Sequence, residues 1–398
     1  MKEFNVGVIG LGPRGSGMLK SVMDIENVRI TAICDLFEER IEENAKLITE
    51  KKGYCPEICT QKWQEVVYSD KVDVVAIFAA WEVHIPISIA SMKAGKPVAV
   101  EVAGAYSVDQ CWELVKTYEE TGTPIMMLEN CCYGRVELML NNMIKQGVFG
   151  TVVHLNGSYQ HDLREEIIGG GLEGGKHYRF RNYVNRNCEN YPTHELGPLA
   201  QMIDINKGNR MVSLVSVASK SAGLKEYVAD KHQDNEELKN TEFAQGDVVT
   251  TIIKCAHGET ITLTLQTTLP RFYTRDIKVF GTKACYEDNS KTIFIDGKHD
   301  HEKEVPDFMN NIDEYKDEYE HPIWKKYIDD GVHEGHGGMD WLVLNAFFDA
   351  LKENKPMPVD VYDMASWMAI TPLSEQSIAL GCAVEIPDFT NGKWVLKD

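Results

Sequence analysis

The segment Val6-Gly7-Val8-Ile9-Gly10-Leu11-Gly12-Pro13-Arg14-Gly15 constrains the fold of this 398-residue chain more than any other. A strand-length apolar run leads straight into G-x-G-x-x-G, and a helical pattern to about Met23 follows at once. Gly10 allows the tight turn, Gly12 lets backbone approach a pyrophosphate, and Gly15 permits close helix packing, with the phosphates at the helix N-terminus. Glycine-rich turns also occur without ligands, so the context decides. Asp35 ends the next strand, Val28 to Cys34, twenty residues after Gly15. There a carboxylate accepts hydrogen bonds from an adenosine ribose and repels a 2'-phosphate, so NAD rather than NADP is the expected cofactor. Arg14, in the same turn, is expected to meet the phosphates as a charge-assisted donor.

Apolar runs without polar alternation recur at Asn5 to Ile9, Val28 to Cys34, Val72 to Ala79, Pro97 to Glu101 and Ile125 to Leu128, separated by helical stretches. Such runs indicate strands covered on both faces, hence a doubly wound parallel sheet. Ligands of open α/β sheets bind at the carboxyl edge, so Trp81, His84, Glu101, Val102 and Asn130 are expected cofactor contacts. Beyond Asn130 the texture changes to a helix near Val136 to Lys145 and alternating strands at Val152 to Tyr159, Leu214 to Ala218, Val248 to Lys254, Thr260 to Thr267, Ile277 to Phe280 and Thr292 to Ile295. The expected class is α/β: a Rossmann domain over 1–130 and an α+β domain with an open, mainly antiparallel sheet over 131–398. Two late helices, Met339 to Lys352 and Tyr362 to Leu380, are expected to return to that sheet or to the first domain. Gly169 to Lys176, Leu224 to Thr241 and His299 to Gly338 read as irregular loops or solvated insertions.

With 41 basic and 61 acidic residues the net charge is -20, which repels phosphate backbones and anionic lipid, so nucleic-acid binding and membrane docking are not expected. No apolar run reaches spanning length. The N-terminus carries no leader pattern, and a cytoplasmic location and a homo-oligomeric state are expected. The ten cysteines, among them the Cys55 and Cys59 pair, suit buried reduced thiols better than a disulfide framework or a zinc site.

These residues together resemble the Gfo/Idh/MocA superfamily of Rossmann-domain oxidoreductases over essentially the whole chain. One departure matters: the dehydrogenases of that superfamily carry E-K-P where this chain reads Glu101-Val102-Ala103, and Val102 has no proton to give. Tyr159-Gln160-His161-Asp162-Leu163, Tyr191-Pro192-Thr193-His194-Glu195-Leu196-Gly197-Pro198, Phe272-Tyr273-Thr274-Arg275 and Gly335-His336-Gly337-Gly338-Met339-Asp340 are similar to motifs of the family 109 glycoside hydrolases. The resemblance implies an NAD-dependent glycosidase acting on a small-molecule glycoside. Its route is oxidation at C3, deprotonation at C2, elimination, water addition and re-reduction, an exception to the two-carboxylate rule of glycosidases.

That chemistry needs groups able to move protons near neutral pH. His194 is the foremost, at a loop-to-helix junction, with Tyr159 and His161 near the end of one strand. Which of the three removes the C2 proton stays open, as do the sugar, the anomer and the aglycone. Arg179, Tyr191, Tyr273 and His336 are the expected substrate contacts. His161, His194, His333 and His336 lack a carboxylate at compact ligand spacing, so no metal is expected. An NAD-dependent sugar dehydrogenase and a non-catalytic sugar or dinucleotide sensor are the alternatives on the same scaffold.

Overall fold

The computed structural model describes residues 3–169, 177–302, 307–331 and 336–396. The chain forms two units, Met1–Asn130 with Val332–Ala365, and Cys131–Gly331 with Ser366–Asp398.

The first unit holds β1 (Phe4–Ile9), β2 (Val28–Cys34), β3 (Ile58–Thr60), β4 (Val74–Ile77), β5 (Val98–Val100) and β6 (Ile125–Met127). They make one parallel sheet in the order β3-β2-β1-β4-β5-β6, whose direction of growth reverses between β1 and β4. That reversal leaves a crevice at the carboxyl ends, the ligand position of doubly wound sheets. All four residues of β4 are buried, as an apolar run covered on both faces requires. β3 was not expected, because three residues at a sheet edge, none of them buried, carry no periodic signal. The Met339–Glu353 helix packs on the Pro13–Met23 helix, with Phe4 and Phe348 rings 5.9 Å apart.

The second unit holds β7 (Val152–Gln160), β8 (Met211–Ala218), β9 (Val249–Cys255), β10 (Thr260–Gln266), β11 (Lys278–Gly281), β12 (Ala284–Glu287), β13 (Thr292–Ile295) and β14 (Val384–Glu385). The order is β13-β12-β11-β7-β10-β9-β8-β14, antiparallel at every pairing except β7 with β10. Strict alternation of buried and half-exposed residues along β10 matches its Thr-Ile-Thr-Leu-Thr-Leu pattern. The Thr193–Met202 helix packs on β7 and the Ile370–Leu380 helix on β8.

Three expectations change. Leu224 to Thr241 is largely helical, at Gly223–Lys231 and Glu236–Lys239, and the stretch after His299 includes helices Lys316–Tyr319 and Pro322–Asp330. These are too short or too polar to show an apolar stripe. The late helix expected from Tyr362 to Leu380 is two, Val361–Met368 and Ile370–Leu380, because Pro372 has no N–H to give the Met368 carbonyl. Cys55, Cys59 and Cys382 are exposed rather than buried. Gly170 to Lys176, His333 and Gly335 lie outside the described residues.

Candidate active site

In the first unit the glycine turn is sterically determined. Gly10 has φ +97°, and a Cβ there would meet Ala79 N at 2.5 Å. A Cβ on Gly15 would strike the Gly10 carbonyl oxygen, whereas the nearest atom to one on Gly12 is Arg40 Nη1, at 3.5 Å. The turn is closed on its inner side and open at Gly12. No side chain caps the Pro13–Met23 helix, whose N-terminus is the kind of place where anions bind. A dinucleotide pyrophosphate fits this cradle.

Asp35 is only 8% exposed. Its Oδ2 accepts from Leu11 N at 2.7 Å, and its Oδ1 accepts from Phe37 N at 3.0 Å and Arg40 Nη1 at 3.4 Å. The carboxylate therefore pins the turn. Arg40, which the sequence reading missed, puts a cation beside it and softens the repulsion of a 2'-phosphate.

Arg14 is held by carboxylates of the first unit. Its Nε donates to Glu101 Oε1 at 2.8 Å, Nη1 to Asp340 Oδ2 at 2.7 Å and Nη2 to Asp340 Oδ1 at 2.9 Å. Asn130 Nδ2 donates to the same Oδ1 at 2.8 Å, and His336 Nδ1 lies 2.8 Å from Oδ2. His336, expected as a substrate contact, thus stands beside Arg14 and Asp340 in the first unit. Burial opposes ionisation of Asp340, but the hydrogen bonds from His336 and Arg14 outweigh it and hold the carboxyl well below its usual range.

The other expected contacts sit at the strand ends. Glu101 Oε2 accepts from Val102 N at 3.1 Å, and Val102 is buried. Trp81 is buried at the start of the helix after β4. His84 Nε2 lies 2.8 Å from the Ala79 carbonyl, which can only accept, so Nε2 carries the proton. Burial pushes the His84 pKa down. Glu129, fully buried just after β6, was missed; the edge rule that selects Glu101 selects it too.

The second unit gathers Tyr159, His161, Arg179, Tyr191, His194 and Tyr273. Tyr159 and His161 share one side of β7 and its extension, with the hydroxyl 3.4 Å from His161 Nδ1. Tyr191 precedes the Thr193–Met202 helix and His194 is its second residue, with the Tyr191 hydroxyl 3.4 Å from His194 Nε2. The Tyr159 ring lies 4.5 Å from Tyr191 and 5.5 Å from His194, and the Tyr273 ring lies 5.2 Å from His161. Two tyrosine–histidine pairs therefore meet in one cluster. The Gln245 amide holds the loop before the helix by bonding Cys188 N, the Cys188 carbonyl and Asn190.

Arg179 is buried with its guanidinium 4.8 Å from the Tyr191 ring centroid. Its Nε donates to Glu166 Oε1 at 2.9 Å, and His177 lies 3.2 Å from the same oxygen. Burial raises the Glu166 pKa, yet His177 and Arg179 prevail and bring it down to about 2. Burial pushes the Tyr159 hydroxyl up despite Arg179, so it stays protonated and serves as a donor. Burial, with Arg179 and His194 in the same direction, pushes His161 down against the pull of Glu166 and Asp162, so its neutral ring is available as a proton acceptor.

Two family profiles cover the chain. Residues 4–129 match the oxidoreductase family with an NAD-binding Rossmann fold, and residues 133–396 match the glycosyl hydrolase 109 C-terminal domain. A glycosyl hydrolase family 109 protein of Stenotrophomonas maltophilia is 38% identical over 99% of this chain and 90% of its own length. An alpha-N-acetylgalactosaminidase of Tannerella forsythia is 37% identical over 98% and 86%. Among solved structures, levoglucosan dehydrogenase in complex with NADH and levoglucosan superposes with TM-score 0.71 at 15% identity, over 97% of this chain and all of that one. Myo-inositol 2-dehydrogenase of Lactobacillus plantarum gives TM-score 0.66 at 15% identity, over 97% and 100%. At such identities the structures establish the fold alone.

Proposed function

The chain belongs to glycosyl hydrolase family 109, and from that premise we propose that it is an NAD-dependent glycosidase that hydrolyses its glycoside with no net redox change. The observation that carries this reading is the meeting of the Tyr159–His161 and Tyr191–His194 pairs beside buried Arg179. A carboxylate in that group, Glu166, is tied to Arg179 and His177 rather than presented as a nucleophile.

Bound NAD would take hydride from C3 of the sugar and return it at the end, making the C2 proton acidic in between. It would be held by the Gly10 to Gly15 turn and Asp35. His161, kept neutral by burial, accepts the C2 proton directly or through the Tyr159 hydroxyl. His194 donates a proton to the departing glycosidic oxygen and then takes one from the water that adds at C1. Arg179 and the tyrosine hydroxyls hold the enolate-like oxygen, where fixed donors act most strongly. Atoms balance as glycoside plus water giving sugar plus alcohol.

A sugar dehydrogenase is the second reading, favoured by the match of residues 4–129 to the oxidoreductase family and opposed by Val102, where the dehydrogenases carry lysine. Aryl α- and β-glycosides with and without 2-acetamido groups, supplied in heavy water, separate the two; α-N-acetylgalactosaminides come first, after the name of the Tannerella relative. Aglycone release, deuterium at C2, no accumulating NADH and no effect of a chelator are expected. One NADH released per sugar would establish the dehydrogenase instead, and cleavage without label at C2 would remove the elimination route.

A further inference from the structure

We infer that Asp340 is a positioning residue that fixes the ring tautomer of His336 and orients Arg14 and Asn130; this rests on the reading of the Gly10 to Gly15 turn as the NAD site, with Arg14 and Asn130 as cofactor contacts. A carboxylate offers about four lone-pair sites and accepts only. Asp340 fills them with four contacts between 2.7 and 2.9 Å, from Arg14 Nη1, Arg14 Nη2, Asn130 Nδ2 and His336 Nδ1. His336 Nδ1 also lies 3.1 Å from Arg14 Nη1, which can only donate. The shorter, charge-assisted contact to Asp340 decides between them, so Nδ1 carries the proton and faces the carboxylate. The Nε2 lone pair is then turned away from the network on an exposed ring, ready to accept from a hydroxyl.

The backbone bears the same imprint. His336, Gly337 and Gly338 run through the left-handed region with φ of +45°, +65° and +97° before the Met339–Glu353 helix starts. Glycine adopts such angles freely; a histidine does so at a cost that its surroundings must offset. Asp340, in the first turn of that helix, also has the N-terminal dipole in its favour.

The substitution Asp340→Asn gives the test its sign. The amide replaces one acceptor by a donor; keeping the oxygen where Arg14 Nη2 and Asn130 Nδ2 donate puts the amide N–H at the Oδ2 position, beside His336. The new N–H therefore turns to His336, whose proton moves to Nε2. Histidine-selective 15N labelling of the full-length protein, with His336→Gln to assign the signal, reads the tautomer where the ring is neutral. The expected result is Nδ1–H in the wild type and Nε2–H in Asp340→Asn. NAD affinity measured by calorimetry should fall about tenfold in the variant, the size of one redirected charged hydrogen bond. In a cycle with Arg14→Lys the two losses should be non-additive. An unchanged tautomer overturns the inference, and so does strict additivity. If Arg14→Lys alone leaves NAD affinity intact, Arg14 does not serve the cofactor, and the tautomer still judges Asp340.

Discussion

Asp340 in the first unit and Glu189 in the second are both buried carboxyl groups, Asp340 in the first turn of a helix and Glu189 in the loop that leads into one. Asp340 receives four donors and is held well below its usual range. The Glu189 carboxyl accepts from Tyr191 N at 3.4 Å, and burial pushes it up to about 8. Burial acts on both in the same direction, so the donors decide the charge. The consequence extends beyond these two residues. Asp340 is a fixed charge that orients its neighbours, while in the Tyr–His cluster burial favours the neutral forms of Tyr159 and His161, whose hydroxyl and imidazole are 3.4 Å apart.

That contrast is broken most severely by removing a proton carrier from the second region. His194→Ala should lower turnover by roughly 10² to 10⁴, the usual range for a lost general acid or base, while NAD stays bound. Steady-state rates beside calorimetric NAD affinity check this. A loss of NAD binding equal to the loss of rate would assign His194 to the cofactor instead. Tyr159→Phe removes the hydroxyl 3.4 Å from His161 and should also slow turnover, though less if the C2 proton reaches His161 directly.

In the first region the expected loss is in binding rather than rate. Asp35→Ala should weaken NAD by roughly 1 to 3 kcal/mol, because ribose hydroxyls and Leu11 N both lose their acceptor. Equal affinity in wild type and variant would show that the ribose lies elsewhere.

The two regions were unequally legible in the sequence. The sheet of the first unit could be read almost strand by strand, since Val28–Cys34 and Val74–Ile77 are apolar runs with a single structural solution. The cluster around Tyr159 and His194 was found only through motif resemblance, because its members come from β7, the Tyr178–Asn185 helix, the loop before Thr193 and the Tyr273 segment, far apart along the chain. Arg14 shows the complementary limit. Its type and place suggest a phosphate contact, but nothing local announces its partners Glu101 and Asp340, which lie 87 and 326 residues away. Local pattern carries no record of such pairings, nor of the donors that separate Asp340 from Glu189.

Glu189→Gln tests that separation, with the smallest change in shape and a difference that grows with pH. An acid whose folded pKa is raised from 4.5 to about 8 binds more protons folded than unfolded between those values. Its contribution to stability is therefore complete below about 4.5 and is lost as pH rises toward 8. Glutamine copies the neutral acid and has no proton to lose. Urea unfolding at pH 5, 6, 7 and 8 should show the variant close to wild type at the acid end and progressively more stable above it, by at most about 1.4 kcal/mol for each pH unit. A parallel pair of curves would mean that donors beyond Tyr191 N keep Glu189 ionised, and the two carboxyls would then be alike.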